Sequence, residues 1–190
     1  MSVGCFLPYV GLGSCLLHMC YIHKFAKKEG PIKILTFSKN LPAALKFDPN
    51  IKEVIVVEKF HKKLFDIFRL SNFLKSLNLK KLYIFKSSLR FYYAAKFAGI
   101  LTKSYPFYKK KNLHLVEHAR KFTMENLDLT SCETETRLYL DEKLLNNTKK
   151  IMQREEKNIL IAPSSSGPTT MWKTSYFIDL MKKLENKLNC

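Results

Sequence analysis

Acidic residues are scarce in this 190-residue sequence: 16 Asp and Glu stand against 33 Lys and Arg, for a formal charge of +17. An excess of that size attracts anions, whether nucleic acid, anionic lipid headgroups or phosphorylated glycans. Nucleic acid fits least well and is not expected as a partner. The basic runs, such as His61-Lys62-Lys63 and Lys109-Lys110-Lys111, are short, and no arginine-rich arm or glycine–aromatic RNA-binding signature accompanies them. Much of the excess is lysine, accompanied by many Asn, Ile, Phe and Tyr, which composition bias would equally produce. Paired cysteines are also lacking. Cys5, Cys15, Cys20, Cys132 and Cys190 are odd in number and form no CxxC or Cys/His cluster, so neither a zinc site nor a disulfide framework is indicated, and no metal or cofactor is expected. Three of them lie in an apolar N-terminal stretch, where a reduced cysteine behaves as a small buried hydrophobe, and a cytoplasmic location fits best.

That stretch, Val3 to Ile22, carries no formal charge and is about as long as a bilayer-spanning helix. A secretory signal would place its positive charges first, whereas Lys24, Lys27 and Lys28 follow, and no small-residue cleavage site is present. An anchor with its positive residues inside is the alternative, but Pro8, Gly11, Gly13 and Ser14 interrupt the run at its middle. It reads instead as a buried strand, Gly4 to Val10, a turn at Gly11-Leu12-Gly13, and a helix capped by Ser14 and continuing from about Leu16 to Lys28. A helix start after such a turn offers free N–H groups to an anion or a sugar hydroxyl; a turn that merely packs strand against helix gives the same pattern.

With a hydrophobic fraction of 46% and 13% aromatics, the chain has ample material for a core. Its length amounts to one domain and a remainder, at about 150 residues per domain. Strands and helices alternate: Pro31 to Phe37 as a strand, Leu41 to Phe47 as a short helix, and Ile51 to Val57 as a β-branched strand buried on both faces. Phe60, Leu64, Phe65, Phe68 and Leu74 mark a helix. Lys81 to Phe85 is a fourth strand, Ser88 caps a helix to about Phe97, and Ile100 to Thr102 starts a fifth strand. A basic aromatic loop, Tyr105 to Asn112, precedes a helix from about His114 to Asn126. Thr134 to Leu140 reads as an edge strand before a connecting helix near Leu144 to Met152. After the polar Gln153 to Asn158, a strand at Ile159 to Ala162, a loop at Pro163 to Thr170 and a helix at Thr174 to Leu188 open a new unit, so 1–150 is the expected domain and 151–190 a linker with the first unit of an incomplete second one. The fold class is α/β, a Rossmann-like parallel sheet.

The order of elements, Gly11-Leu12-Gly13-Ser14, Asn50 to Val56, Ser87-Ser88-Leu89-Arg90, and above all Ser166-Gly167-Pro168-Thr169-Thr170-Met171-Trp172 resemble the glycosyltransferase family 9 proteins, the heptosyltransferases of lipopolysaccharide inner core. The resemblance implies the N-terminal half of a GT-B architecture, with the acceptor on the first domain and the nucleotide-sugar mainly on the second, only whose opening is present. It implies metal-independent inverting transfer of a heptose-like sugar from an ADP-heptose-like donor to a glycolipid acceptor, in the cytoplasm at the inner face of the membrane.

Residue by residue, Ser14 stands where the family carries its aspartate base, and a serine hydroxyl is no general base unaided. Gly11, Gly13, Arg90 and, more loosely, Arg120 match the acceptor side, where guanidinium groups suit phosphate or carboxylate. Ser165, Ser166, Thr170 and Lys173 match the donor-phosphate side, with Thr170 where a lysine is common and Lys173 displaced from that place. His18, one turn beyond Ser14, is a candidate base or a packed core histidine. The missing aspartate and incomplete second domain leave three outcomes open: an enzyme, a non-catalytic binder of glycan or anionic lipid, or one half of a transferase whose C-terminal half is encoded separately.

Overall fold

The computed structural model describes residues 2–57, 66–106, 113–152, 159–163 and 171–188. The chain divides into two units, Met1–Tyr139 and Leu140–Cys190.

The first unit is an all-parallel sheet of β1 (Ser2–Leu7), β2 (Ile32–Thr36), β3 (Ile51–Val56), β4 (Leu79–Ile84) and β5 (Leu101–Ser104), in the order β3-β2-β1-β4-β5. Its helices are α1 (Leu12–Leu16), α2 (Met19–Glu29), α3 (Leu41–Ala44), α4 (Asp66–Ser76), α5 (Leu89–Phe97) and α6 (Leu115–Leu127). The expected α/β Rossmann-like class is what is found. Alternate residues of the central strands feed opposite layers, as the pleat requires. Val3, Cys5 and Leu7 of β1, with Tyr83 and Phe85 at β4, join the core beneath α2 and α6; Phe6, Leu82 and Ile84 join the core beneath α4 and α5. The first is aromatic, with Phe85 in ring contact with Phe25, Tyr105 and Phe122. Cys5, Cys15 and Cys20 are free and buried, as expected of small core residues, and Cys132 is free and buried as well.

The uncharged N-terminal run is a strand, a turn and the start of a helical segment, and no helix among the described residues is long and apolar enough to cross a membrane. The cap differs from expectation. Gly11, not Ser14, caps α1 through its backbone, and Ser14 lies inside that helix. The expected single helix is also broken. The His18 ring Nδ1–H donates to the Ser14 carbonyl at 2.6 Å, the oxygen that the His18 backbone N–H would take in an uninterrupted helix, and that N–H turns to Cys15 at 3.0 Å. A side chain inserted into the backbone ladder separates α1 from α2.

Three further expectations give way. β3 is an edge strand with no buried residue, so its β-branched sequence covers only one neighbour, β2. Residues 134–140 form no strand. They cross α2, whose backbone is already paired, so side chains secure them: Thr136 Oγ1–H donates to Leu16, and Asn50 Nδ2–H donates to Tyr139. Residues 159–162 are likewise not a strand, having no neighbouring strand among the described residues to complete a ladder. Within the second unit lie α7 (Glu142–Ile151), capped by Asp141, and α8 (Thr174–Leu188). The start of the helix expected from Phe60 lies outside the described residues, as do 107–112 of the basic loop and 164–170 of the serine-rich loop.

Candidate functional site

In an open parallel sheet the ligand crevice forms beyond the carboxyl ends of the strands where the chain order reverses. Here that point lies between β1 and β4, because β1 leads outward to β2 and β3 on one side while β4 and β5 lie on the other. The chain leaving β1 carries Gly11 at the cap of α1 and Gly13 and Ser14 within that helix. The turn after β4 carries Ser87, Ser88 and Arg90.

The two strand exits are fastened together. Tyr9, two residues past β1, donates its hydroxyl proton to the Phe85 carbonyl at 2.8 Å, and the Phe85 N–H donates to Phe6 at 3.0 Å. Ser87 in turn donates to the Pro106 carbonyl at 3.0 Å, joining the β5 exit. On the other side Ser38 N–H donates to the buried Thr36 Oγ1 at 3.1 Å, and Cys15 Sγ lies 3.5 Å from that oxygen. Burial pushes the Cys15 thiol up, so it is not a reactive thiolate. Tyr9 was not singled out by sequence; the only signal was an aromatic residue beside the proline that ends the first strand.

The glycines themselves are informative. Gly11 and Gly13 are exposed, neither has positive φ, and a Cβ at Gly13 would meet nothing within 4 Å while one at Gly11 would meet only Ser14 Oγ at 4.0 Å. Backbone conformation and internal packing therefore do not demand glycine at either place. What the two residues provide is bare backbone on an open surface beside the switch point. Gly4 contrasts with them: a Cβ there would lie 2.9 Å from Leu79 Cδ1. Ser14 is half-buried in α1, three residues after the Gly11 cap.

Ser88 is the N-cap of α5, as expected, although its side chain makes no capping hydrogen bond. Arg90 follows in the first turn, half-buried, its guanidinium carbon 5.2 Å from the Phe91 ring centre. Phe91 is anchored edge-on against Phe6 of β1 at 4.5 Å, so the helix start carrying Arg90 is fixed to the strand that leads to the glycines. Arg120 lies in the middle of α6, where its Nε–H donates to Glu117 at 3.0 Å. Lys173, before α8 in the second unit, is exposed and approaches Tyr176, beside Trp172. Ser165, Ser166 and Thr170 lie outside the described residues.

His18 is fully buried, stacked on Tyr9 at 4.9 Å and edge-on to Phe85 at 5.4 Å. Because Nδ1 carries the proton given to Ser14, Nε2 is a bare lone pair, and it has no hydrogen-bond partner. Burial lowers its pKa to about 4. A sealed imidazole of that basicity positions α1 rather than accepting a proton from a bound hydroxyl. Near the β5 exit, a cavity of about 230 Å³ is lined by Tyr105, His118, Lys121 and Glu125 among others. Among the described residues no cluster of His, Cys, Asp or Glu could hold a metal ion.

A model of glycosyltransferase family 9 (heptosyltransferase) matches residues 61–189. Two solved structures share the fold. A glycosyl transferase family 9 protein from Veillonella parvula aligns with TM-score 0.65 at 13% identity, over 97% of this chain and 60% of its own. The ADP-heptose lps heptosyltransferase II of E. coli aligns with TM-score 0.64 at 16% identity, over 98% of this chain and 62% of its own. The chain thus spans about three fifths of the length of these structures. No curated protein matches it.

Proposed function

The chain belongs to glycosyltransferase family 9, and from that premise we propose that it serves the transfer of a heptose-like sugar from an ADP-heptose-like donor to an acidic, lipid-linked cell-envelope glycan, in the cytoplasm at the inner membrane face. Its first unit takes the acceptor. The supporting observation is the pair of exposed glycines, unneeded for folding, on a strand exit tied through Tyr9 and Phe85 to the turn that carries Arg90. Bare backbone N–H groups and a guanidinium suit the hydroxyls and phosphates of such a glycan. Arg120, in the middle of α6 rather than at a helix start beside the strand exits, adds less.

The donor belongs to the second unit, where Lys173 and the hydroxyls of Ser165, Ser166 and Thr170 meet the diphosphate. The remainder of that site comes from sequence beyond these residues, in the same or a separately encoded chain. Inverting displacement needs a base at the acceptor hydroxyl. Ser14 supplies none, and His18 is sealed and held neutral. That observation favours a second reading, in which these residues bind the glycan without turnover. Release of nucleoside diphosphate from ADP-heptose in the presence of a phosphorylated glycolipid separates the two. Binding without release supports the second; release enhanced by Ser14→Asp supports the first; absence of acceptor binding refutes both.

A further inference from the structure

A helix layered on a sheet buries one face, yet α5 is apolar on two. Phe91, Ala94 and Ala95 are buried in the core, whereas Leu89, Tyr93 and Phe97, spaced i, i+4, i+8, form a stripe along the outer face. These three are 53%, 48% and 59% exposed. The stripe extends onto α4, where Phe68, 59% exposed, stacks on Phe97 with ring centres 6.1 Å apart. The surrounding charge has one sign. From Ile67 to Val116 the sequence contains no Asp or Glu, against eleven Lys and Arg. Arg69, Lys75, Lys96 and Lys103 are exposed on α4, α5 and β5, and the one acid of these elements, Asp66, is only 6% exposed.

We propose that this α4–α5 face docks on an anionic lipid surface, with Leu89, Tyr93, Phe97 and Phe68 entering the headgroup boundary and the cations meeting lipid phosphates. Aromatic side chains flanked by Lys and Arg suit that boundary, where rings sit among headgroups and cationic stems reach the phosphates. A second copy of the chain would bring like charges together and is disfavoured. The proposal rests on the acceptor reading and deepens it: Leu89 adjoins Arg90, so a lipid-linked acceptor remains in its bilayer while its glycan lies at the site. The stripe thereby gives the basic composition a location.

The test is sedimentation of the full chain with vesicles of phosphatidylethanolamine and phosphatidylglycerol, and with pure phosphatidylcholine. Binding is expected to the first, weakening with salt. Arg69→Glu/Lys96→Glu weakens it at least about 25-fold, at about fivefold per cation, and Tyr93→Ser/Phe97→Ser weakens it at least about tenfold. Lys27→Glu/Lys121→Glu, an equal charge change on the opposite helical layer, stays within about threefold. Equal losses for both charge pairs, no binding by the unmodified chain, or self-association abolished by Tyr93→Ser/Phe97→Ser would each overturn the proposal. Binding of a deacylated, phosphorylated glycan, measured in parallel, keeps the readings apart. Vesicle binding without glycan binding sinks the acceptor reading; glycan binding without vesicle binding sinks the docking face.

Discussion

Lowering the pH from 7 to 5 should destabilise this fold through one residue, His18. Its ring is fully buried between Tyr9 and Phe85, and burial brings its pKa from the ordinary 6.5 to about 4. Between those values the unfolded chain binds a proton that the native chain refuses, so stability is lost as pH falls through this window. The native penalty is RT times the logarithm of the ratio of the two proton-binding terms. It is about 0.2 kcal/mol at pH 7 and about 2 kcal/mol at pH 5. Asp48 and Glu29 do not contribute there. Burial alone would raise Asp48 and Glu29, but hydrogen bonds from His23 and Asn50, and from Lys81 and Tyr83, bring them below the ordinary value. Their stabilisation is present above about pH 4 and lost only below it. Urea unfolding followed by circular dichroism at pH 7, 6 and 5 should show the loss of about 2 kcal/mol. The His18→Phe variant, which keeps an aromatic ring against Tyr9 and Phe85 without a titrating nitrogen, should show most of it abolished. Parallel pH profiles for the two proteins would refute the assignment.

Gly13→Ala should raise the melting temperature by roughly 2–4 °C, since alanine is favoured by about 1 kcal/mol inside a helix and its Cβ meets nothing, while weakening glycan binding; a thermal melt beside a binding titration reads both, and a lowered melting temperature would contradict the reading of an open glycine. Asp48→Ala should cost about 3 kcal/mol in chemical denaturation, because the buried carboxylate accepts from His23 at 2.6 Å and from the Asn50 backbone and side chain at 3.0 Å. Phe85→Ala, emptying a fully buried position among Phe25, Tyr105 and Phe122, should cost about 4 kcal/mol by the same measurement.

The alternation of apolar strands with amphipathic helices made the sheet legible, because the carboxyl halves of the central strands, Cys5 to Leu7, Ile34-Leu35 and Leu82 to Ile84, are apolar and buried on both faces. The strand exit before Gly11 and the helix start at Ser88–Arg90 were legible for a related reason, since glycine and serine mark strand exits locally, but the helix begins at Leu12, before the Gly13 and Ser14 that the sequence pattern assigned to its turn and cap. Three features were not local. The break after α1 depends on the His18 ring taking the Ser14 carbonyl, which no periodicity reveals. The crossing of 134–140 over α2 depends on contacts as distant as Thr136 with Leu16, while its alternating Glu133, Glu135 and Arg137 imitate an edge strand. Tyr9 acquires its role only when β4 is placed beside β1, bringing Phe85 within 2.8 Å of its hydroxyl. The exposed stripe on α5 was hidden because Leu89, Tyr93 and Phe97 share a helix with equally apolar buried residues.

The central claim is that the joined exits of β1 and β4 hold an anionic glycan. Calorimetric titration of a deacylated, phosphorylated inner-core oligosaccharide into the unmodified chain and its Arg90→Ala variant tests it most directly. The account predicts saturable binding that weakens about 10- to 30-fold without the guanidinium, as expected for a lost charge-assisted contact, and a smaller loss for Arg120→Ala. Equal affinity for Arg90→Ala and the unmodified chain would contradict it.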